Sequence, residues 1–498
     1  MRRSSIVLAA IILAMFAVLA ACAGAPAYRA PSVALPAAFK VSDVATTERT
    51  ARDSSAPRAA ATASPFAITP VRYRPVTSPA PFWRDIGDTT LTLLIEEAIR
   101  ANTDVRVAEA RLTGSRAARR LTTYDLAPTI TAAGSTTRQQ FSIAQVPGLT
   151  QQLPQQTLWD VGVDASWELD IFGRVGRTIG AQSALVASSE HALDDVLVSV
   201  AAEVARTYFE LRGAQQQLAV AQRNADNQRG TVQLTEDRLA GGRGTAFDTE
   251  RAKSVLYLTL AAVPGIESQI ALQRYRIAVL IGRAPDALPA AVLAAGGLPR
   301  LPDTLQVGSP EQLIRRRPDV LRAERQLAAQ SLLVGAARAE YLPRLTVGAH
   351  VGTAATSFDS LTHRGTSRLA VGPVLSWPLF DLGRVRERVG LAHAREDVAL
   401  AEHTATVLHA VEETDAALVT YDRAHARLAI LTEAVRSSTR AAALAQQRFE
   451  AGLTDFLQVL DAQRTQLDAE NQFAQGHTAA ATALVAVYKA TGGSWPMR

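Results

Sequence analysis

The stretch Trp159-Asp160-Val161-Gly162-Val163-Asp164-Ala165-Ser166-Trp167-Glu168-Leu169-Asp170 alternates apolar and polar residues without a break. Side chains along a strand point to opposite faces with a period of two, so this segment reads as a two-faced β-strand. After Gly173 the period changes. Leu193, Leu197, Val200, Val204 and Leu211 approximate a heptad stripe, and no break comes before Gly241-Gly242-Arg243-Gly244. A helix of about 65 residues would extend ~100 Å at 1.5 Å per residue, far beyond the elements of an ordinary globule. A membrane-length strand running straight into such a helix decides the fold class: mainly α with a small β part.

Working outward, the same passage occurs twice. Ser166-Trp167-Glu168-Leu169 aligns with Ser376-Trp377-Pro378-Leu379, Gly173-Arg174-Val175 with Gly383-Arg384-Val385, and Gly242 with Gly452, a displacement of 210 residues. Upstream the displacement is 215, with Asp104-Val105 on Asp319-Val320 and Pro128 on Pro343. Two copies of a large unit are a duplication, not a solenoid array. In each copy the pattern predicts a helix, a β-hairpin, a very long helix, a tight turn and a return helix. The first helix is capped by Asp88 and runs towards Leu126. The first hairpin pairs Thr129–Phe141 with the Trp159 stretch. The second sets Leu345, Val347, Ala349 and Val351 beside Leu369, Val371, Leu375, Trp377 and Leu379. Pro264-Gly265 should kink the first return helix. The domains are expected at 83–285 for repeat 1 and 286–498 for repeat 2, the second opening on a Pro- and Gly-rich linker. Heptad patterning rich in alanine predicts close-packed coiled coils.

The N-terminus is a targeting segment. Arg2-Arg3 precede the apolar run Ile6–Leu19, and Leu19-Ala20-Ala21-Cys22 offers a small-residue cleavage site. It resembles the lipobox of bacterial lipoproteins, which predicts a signal peptide over 1–21 and a lipidated Cys22, the only cysteine of the chain. Ala23 in place of Asp favours the outer membrane. Residues 22–82, rich in Ala, Pro, Ser and Thr, read as a tether. Beyond the signal no run of about 18 apolar residues occurs, so membrane crossing is expected through a closed β-barrel. Four strands cannot close one, because transmembrane barrels begin at about eight. Two chains would supply eight strands and three would supply twelve.

Composition excludes other classes. A net charge of +5 spread over 498 residues, with arginines scattered along helices, is no nucleic-acid surface. There is no phosphate loop, no nucleophile elbow and no zinc-binding His-Glu-x-x-His, so no catalysis, cofactor or metal is expected. His403, His409 and Glu413 share helical spacing, as many solvated pairs do. Gly176 and Gly180 lie among arginines and are not a membrane-helix dimer motif.

From about Pro81 to Trp495 the chain resembles the TolC-like outer-membrane efflux family in its NodT/OprM-type lipoprotein branch. The resemblance rests on Ser166–Arg174, on Arg315-Arg316-Arg317-Pro318-Asp319-Val320, on Ser376–Asp381, on Phe449-Glu450-Ala451-Gly452 and on Leu460-Asp461-Ala462-Gln463-Arg464. It implies a homotrimer: four transmembrane strands per chain in a shared 12-stranded β-barrel, continued by an α-barrel of coiled-coil helices into the periplasm. It implies an outer-membrane location with a lipid anchor, and an exit duct for small toxic compounds or drugs. The partners implied are a periplasmic adaptor and an inner-membrane transporter. The same architecture serves type I protein secretion, which is the alternative. A pore-free periplasmic coiled-coil scaffold is the third reading, and the alternating hairpins speak against it. Two features depart from the branch: the long tether, and Arg243 where an apolar residue is common.

The resemblance also carries site residues. Gly242, Thr245, Gly452, Leu453 and Thr454 fall at the helical tips where an adaptor would dock. Leu457, Asp461 and Arg464 lie at i, i+4 and i+7 on one helix face. They match the family's periplasmic constriction, and Asp248 matches a further position tied to the closed state. In a threefold assembly each becomes a ring; a leucine ring can dewet a pore, and an aspartate ring selects cations. The bland alternative is that Asp461 and Arg464 form a solvated ion pair. Trp159, Trp167 and Trp377 could belong to an interfacial aromatic girdle, or Trp167 and Trp377 could pack at the strand-to-helix joint.

Overall fold

A computed structural model of the chain describes residues 82–140, 154–302, 304–307 and 309–493, with isolated positions at 28, 31, 36, 39, 71–74 and 151. Seven helices carry the architecture: α1 (Thr89–Ala101), α2 (Thr103–Thr123), α3 (Arg174–Ala240), α4 (Ala246–Leu280), α5 (Pro318–Ala339), α6 (Leu382–Glu450) and α7 (Phe456–Ala490). The strands are β1 (Arg72–Arg74), β2 (Thr129–Gln139), β3 (Gln156–Leu169), β4 (Thr304–Gln306), β5 (Arg344–Ala355) and β6 (Ser367–Ser376). The fold is thus mainly helical, with long helices of 67 and 69 residues in the two repeats and return helices of 35 residues each. The chain divides into two compact units that each draw on both repeats, one centred on Arg111–Glu190 with Arg322–Thr404, the other on His191–Leu321 with Ala405–Arg498.

The first unit holds one antiparallel sheet in the order β2-β3-β5-β6, open at both edges. Register sorts its residues cleanly. Val163 lies opposite Ala132 on β2 and Val351 on β5, which in turn lies opposite Leu369. This face is apolar and bare: Ile130, Val161, Val163, Val351, Leu369, Val371 and Leu375 are all exposed. Asp160, Asp164, His350 and Arg368 occupy the other face.

Strand and helix are joined by the same devices twice. Trp167 Nε1 donates to Leu126 O at 2.9 Å and Trp377 Nε1 to Tyr341 O at 3.1 Å. Each tryptophan thus bonds a carbonyl just after the helix that leads into its hairpin, an arrangement compatible with either role weighed from sequence. In the first copy Asp170 caps α3, accepting from Val175 N at 3.0 Å and Gly176 N at 2.6 Å. Arg174 forks onto Glu168 at 3.0 and 2.8 Å. Gly180 faces Leu332, so this small residue serves close helix packing, whereas Gly176 lies against the capping Asp170.

One expectation is corrected. The helix expected from Asp88 towards Leu126 is two helices, broken at Asn102, whose ψ of 137° is extended. Asn102 is 2% exposed. Its Oδ1 accepts from Asp104 N at 2.7 Å and Val105 N at 3.3 Å, while Nδ2 donates to Leu280 O at 2.9 Å. A side chain that satisfies a helix start and a helix end at once makes the break favourable. In the second repeat Arg317 takes this place: Nη1 donates to Ala490 O at 2.7 Å and the guanidinium holds Asp319 and Glu413 at 2.8 and 2.7 Å. Separately, α4 carries an 18-residue window apolar enough to cross a membrane by length and composition alone, which leaves the expectation of crossing through a β-barrel in place. The apolar residues are interrupted along the chain, which is why a search for an unbroken run misses them. Pro264 sits inside α4 without ending it.

The second unit has its main core where Leu305, Leu313, Leu418, Tyr421, Leu484 and Val487 pack together, with β1 and β4 paired in parallel nearby in the same unit. A separate core lies at the helical turns.

Candidate functional site

The turns are built from glycines that only a left-handed backbone explains. Gly242 has φ of 67° and Gly452 of 72°, a region that costs an L-residue roughly 1–2 kcal/mol. Gly242 N donates to Leu239 O at 3.0 Å and Arg243 N to Arg238 O at 2.9 Å; in the other copy Gly452 N donates to Phe449 O at 2.9 Å and Leu453 N to Arg448 O at 2.8 Å. These paired bonds satisfy the last carbonyls of α3 and α6 and reverse the chain within a few residues.

The return helices begin on side-chain caps. Thr245 Oγ1 accepts from Asp248 N at 3.2 Å and donates to Asp248 Oδ2 at 2.6 Å. Asp455 accepts from Gln458 N at 3.2 Å. Asp455, absent from the residues singled out above, stands one 210-residue displacement from Thr245, and that register was the signal that could have found it. Its neighbour Thr454 has a buried Oγ1 with no hydrogen-bond partner among the described residues, and Leu453 is 71% exposed.

Both turns share one core. Phe449 and Phe456 pack with ring centroids 5.5 Å apart, and Ala225, Val232, Ala252, Leu256, Val459 and Leu460 are buried with them. Arg238 lies over Phe449 at 3.9 Å from the ring centroid and donates to its carbonyl at 3.0 Å. A cation held against an aromatic face and a helix-end carbonyl ties the first turn to the second.

Against that core α7 has two sides. Phe456, Val459 and Leu460 are buried; Leu457, Asp461 and Arg464 are exposed together on the adjoining side, Leu457 at 48%. Among the described residues Asp461 and Arg464 form no ion pair with each other, so the solvated-pair alternative is not what this conformation adopts. Asp248 is engaged with Thr245 instead of with any of these three. Cys22 lies outside the described residues.

The polar face of the sheet carries a second cluster that sequence reasoning missed. His350 Nδ1 meets Asp164 Oδ1 at 2.8 Å, its Nε2 lies 3.7 Å from Asp160 Oδ1, and Arg368 pairs with Asp160. Gly162 and Gly352 make room for the ring: a Cβ at Gly162 would stand 2.8 Å from His350 Cε1. Strand parity alone put Asp160 and Asp164 on one face, but only the β3–β5 register brings His350 to them. The three residues with helical spacing on α6 separate: His403 is buried, His409 pairs with Glu412 at 3.2 Å, and Glu413 belongs to Arg317.

Comparison with known proteins agrees with this geometry. The model of the outer membrane efflux protein family matches residues 94–283 and 309–493. Outer membrane protein OprJ of Pseudomonas aeruginosa is 31% identical over 415 residues, covering 83% of this chain and 86% of OprJ. Solvent efflux pump outer membrane protein SrpC of Pseudomonas putida is 27% identical over 410 residues, covering 82% of this chain and 86% of SrpC. The solved outer-membrane channel OprN superimposes with a TM-score of 0.80 at 34% identity, covering 95% of this chain and 99% of that one. The outer membrane protein VceC of Vibrio cholerae gives 0.75 at 25% identity over 83% of this chain and 99% of its own. With its two repeats, bare apolar sheet face and doubled helical turns, this chain belongs to the outer membrane efflux protein family.

Proposed function

We propose that this protein is the outer-membrane exit channel of a tripartite efflux pump for small toxic or drug-like compounds. The observation that carries the reading is the sheet. Its apolar face, including Leu369 at 76% and Val371 at 69% exposure, is bare, while the opposite face holds the polar side chains Asp160, Asp164, His350 and Arg368. Bilayer on one side and water on the other suit such a surface, and its open edges require strands from further copies. Three copies would supply a twelve-stranded barrel. The exposed apolar residues of α4, Tyr257, Leu258 and Leu272 among them, suit a surface that another copy covers.

In this assembly the periplasmic end is formed by the two turns. Gly242, Thr245, Gly452, Leu453 and Thr454 would meet a periplasmic adaptor coupled to an inner-membrane transporter. Leu457, Asp461 and Arg464 would line the constriction, with Asp248 fixing the neighbouring helix start. The relatives' names support small-molecule efflux over protein secretion. The test is a chromosomal deletion: tolerance of at least one amphipathic toxic compound should fall while type I secretion continues. Lost secretion with unchanged tolerance would assign the chain to the secretion alternative.

A further inference from the structure

Within the first unit the helices follow the same order as the strands. Arg116 pairs with Glu190 at 2.7 Å, which sets α2 on α3, and Arg388 pairs with Glu340 at 2.8 Å, which sets α6 on the end of α5. Between the repeats α3 meets α5. There Arg177 Nη1 donates to Gly335 O at 3.3 Å, Ser188 Oγ donates to Arg322 O at 3.2 Å, and Gly180 faces Leu332. The order is therefore α2-α3-α5-α6, with α2 and α6 outermost, as β2 and β6 are in the sheet.

The duplication makes these elements structurally equivalent in pairs. Displaced by 215 and 210 residues, the pair Thr129–Ser166 of the first hairpin becomes Arg344–Ser376, and the second hairpin forms that pair. Equivalent positions nevertheless differ in cover. Val334, Gly335 and Ala336 of α5 are buried, whereas their equivalents Arg119, Arg120 and Leu121 of α2 are exposed. Ala181 of α3 is 0% exposed and its equivalent on α6, Leu391, is 53% exposed. The other repeat covers the inner positions, and the outer ones are left bare.

We infer that a second copy of this chain covers the bare positions by repeating the α3–α5 contact, with α6 of one copy on α2 of the next and Glu387 paired to Arg120 across the boundary. The internal contact supplies the partners. Arg177 and Gly335 are displaced onto Glu387 and Arg120, so an arginine on a carbonyl becomes a carboxylate on a guanidinium. Both side chains are exposed, and neither forms an ion pair among the described residues. Apolar volume crosses from one side to the other: Leu332 becomes Ala117, while Ala181 becomes Leu391. The strands follow the same rule. The pair Ala165–Ala349 becomes Leu375 on β6 opposite Gly134 on the next copy's β2. Within the chain Leu375 lies opposite Leu345 and Gly134 opposite Val161, so both belong to the apolar face and that face continues across the boundary. A slip by one residue would turn one strand's apolar side chains to the polar face. This inference rests on the reading that further copies close the sheet; it adds which surfaces meet and in what register.

A full-length chain carrying Leu375→Cys together with Gly134→Cys tests the register. In one copy these positions lie three strand spacings apart, roughly 14 Å, and a disulfide needs Cα atoms within about 7 Å. Oxidised outer membranes should therefore yield covalent trimers on denaturing gels, while each single variant, the control for Cys22, stays monomeric. The charge pair has its own test. Glu387→Arg and Arg120→Glu should each lower the temperature at which the trimer dissociates in detergent, and their combination should restore most of that loss. Losses that simply add in the combination overturn the pairing. Links formed by Leu375→Cys with Ile130→Cys in place of Gly134→Cys overturn the register. Should the cysteine variants fail to assemble, the exposed charge reversals decide. A wild-type trimer that shows neither link nor rescue overturns this interface and leaves the channel reading standing; a wild-type monomer overturns both.

Discussion

Leu457, Asp461 and Arg464 acquire meaning only from which side of α7 they occupy. The helix buries Phe456, Val459 and Leu460 and leaves the three exposed, with Asp461 and Arg464 unpaired to each other. In the proposed trimer three Asp461 carboxylates around the axis would repel, contacts elsewhere would have to hold the ring closed, and an adaptor that favours the open state would dilate it. The double substitution Leu457→Ala with Asp461→Ala should raise single-channel conductance and lower cation preference in planar bilayers, with assembly unchanged. Wild-type conductance and selectivity would instead mean that this face lies against another helix. Two histidines, His403 buried and His477 half-buried, give the residue scale a second handle. Burial pushes the His403 imidazole below its ordinary range, opposed by Glu324, and does the same to His477, opposed by a backbone bond at Pro299. Both Nδ1 atoms are buried without a hydrogen-bond partner among the described residues. With the folded value depressed, the unfolded chain binds more protons, so stability is lost as pH falls from about 6.5 towards the folded values and levels off below them. Thermal midpoints measured between pH 7.5 and 5 should fall, and His403→Gln with His477→Gln should flatten that slope.

The elements were legible in the sequence wherever one period ran long enough. The strand alternation of β3 and β5, the heptad stripe of α3 and the glycine at each turn follow from side-chain geometry that acts locally. The break at Asn102 did not, because its cause is remote: the asparagine bonds Leu280, the end of a helix 178 residues away. Arg317 escaped for the same reason, since its value lies in Ala490 O and Glu413 and not in its neighbours. The ion cluster around His350 likewise needed a register that no single strand encodes. These remote bonds predict an order of sensitivity. Asn102→Ala removes a cap and leaves Leu280 O without its amide donor, at a cost of about 1–3 kcal/mol. Arg317→Met removes a donor to the buried Ala490 O and strips an ion-pair partner from both Asp319 and Glu413, so the loss should exceed that of Asn102→Ala although both carboxylates are partly exposed. Denaturant midpoints should therefore rank wild type above Asn102→Ala and that above Arg317→Met. The reverse order would show that water replaces the arginine more readily than the asparagine.

At the scale of the whole molecule, the single chain is an incomplete solution. Its sheet has two unpaired edges and a bare apolar face, and α4 leaves Tyr257, Leu258, Leu272 and Tyr275 exposed. Unpaired backbone groups at a sheet edge are costly in hydrocarbon, so the structure is stable in a membrane only when copies close the sheet. Four strands per copy reach a twelve-stranded barrel at three. The purified mature protein should therefore run as a heat-modifiable trimer, and light scattering corrected for detergent should give three chains per particle. Lipidation at Cys22 would be a separate hold on the membrane. Acyl chains contribute about 0.8 kcal/mol per buried methylene, but a closed barrel buries far more apolar surface. Cys22→Ser should then abolish labelling by a radioactive fatty acid, while a fraction of the variant still inserts and conducts. If Cys22→Ser yields only soluble periplasmic chains, the lipid is a prerequisite for barrel closure and the sheet does not insert on its own apolar face. If wild type remains monomeric in every detergent that preserves its helices, the open edges are satisfied by something other than further copies, and the threefold ring at Asp461 falls with them.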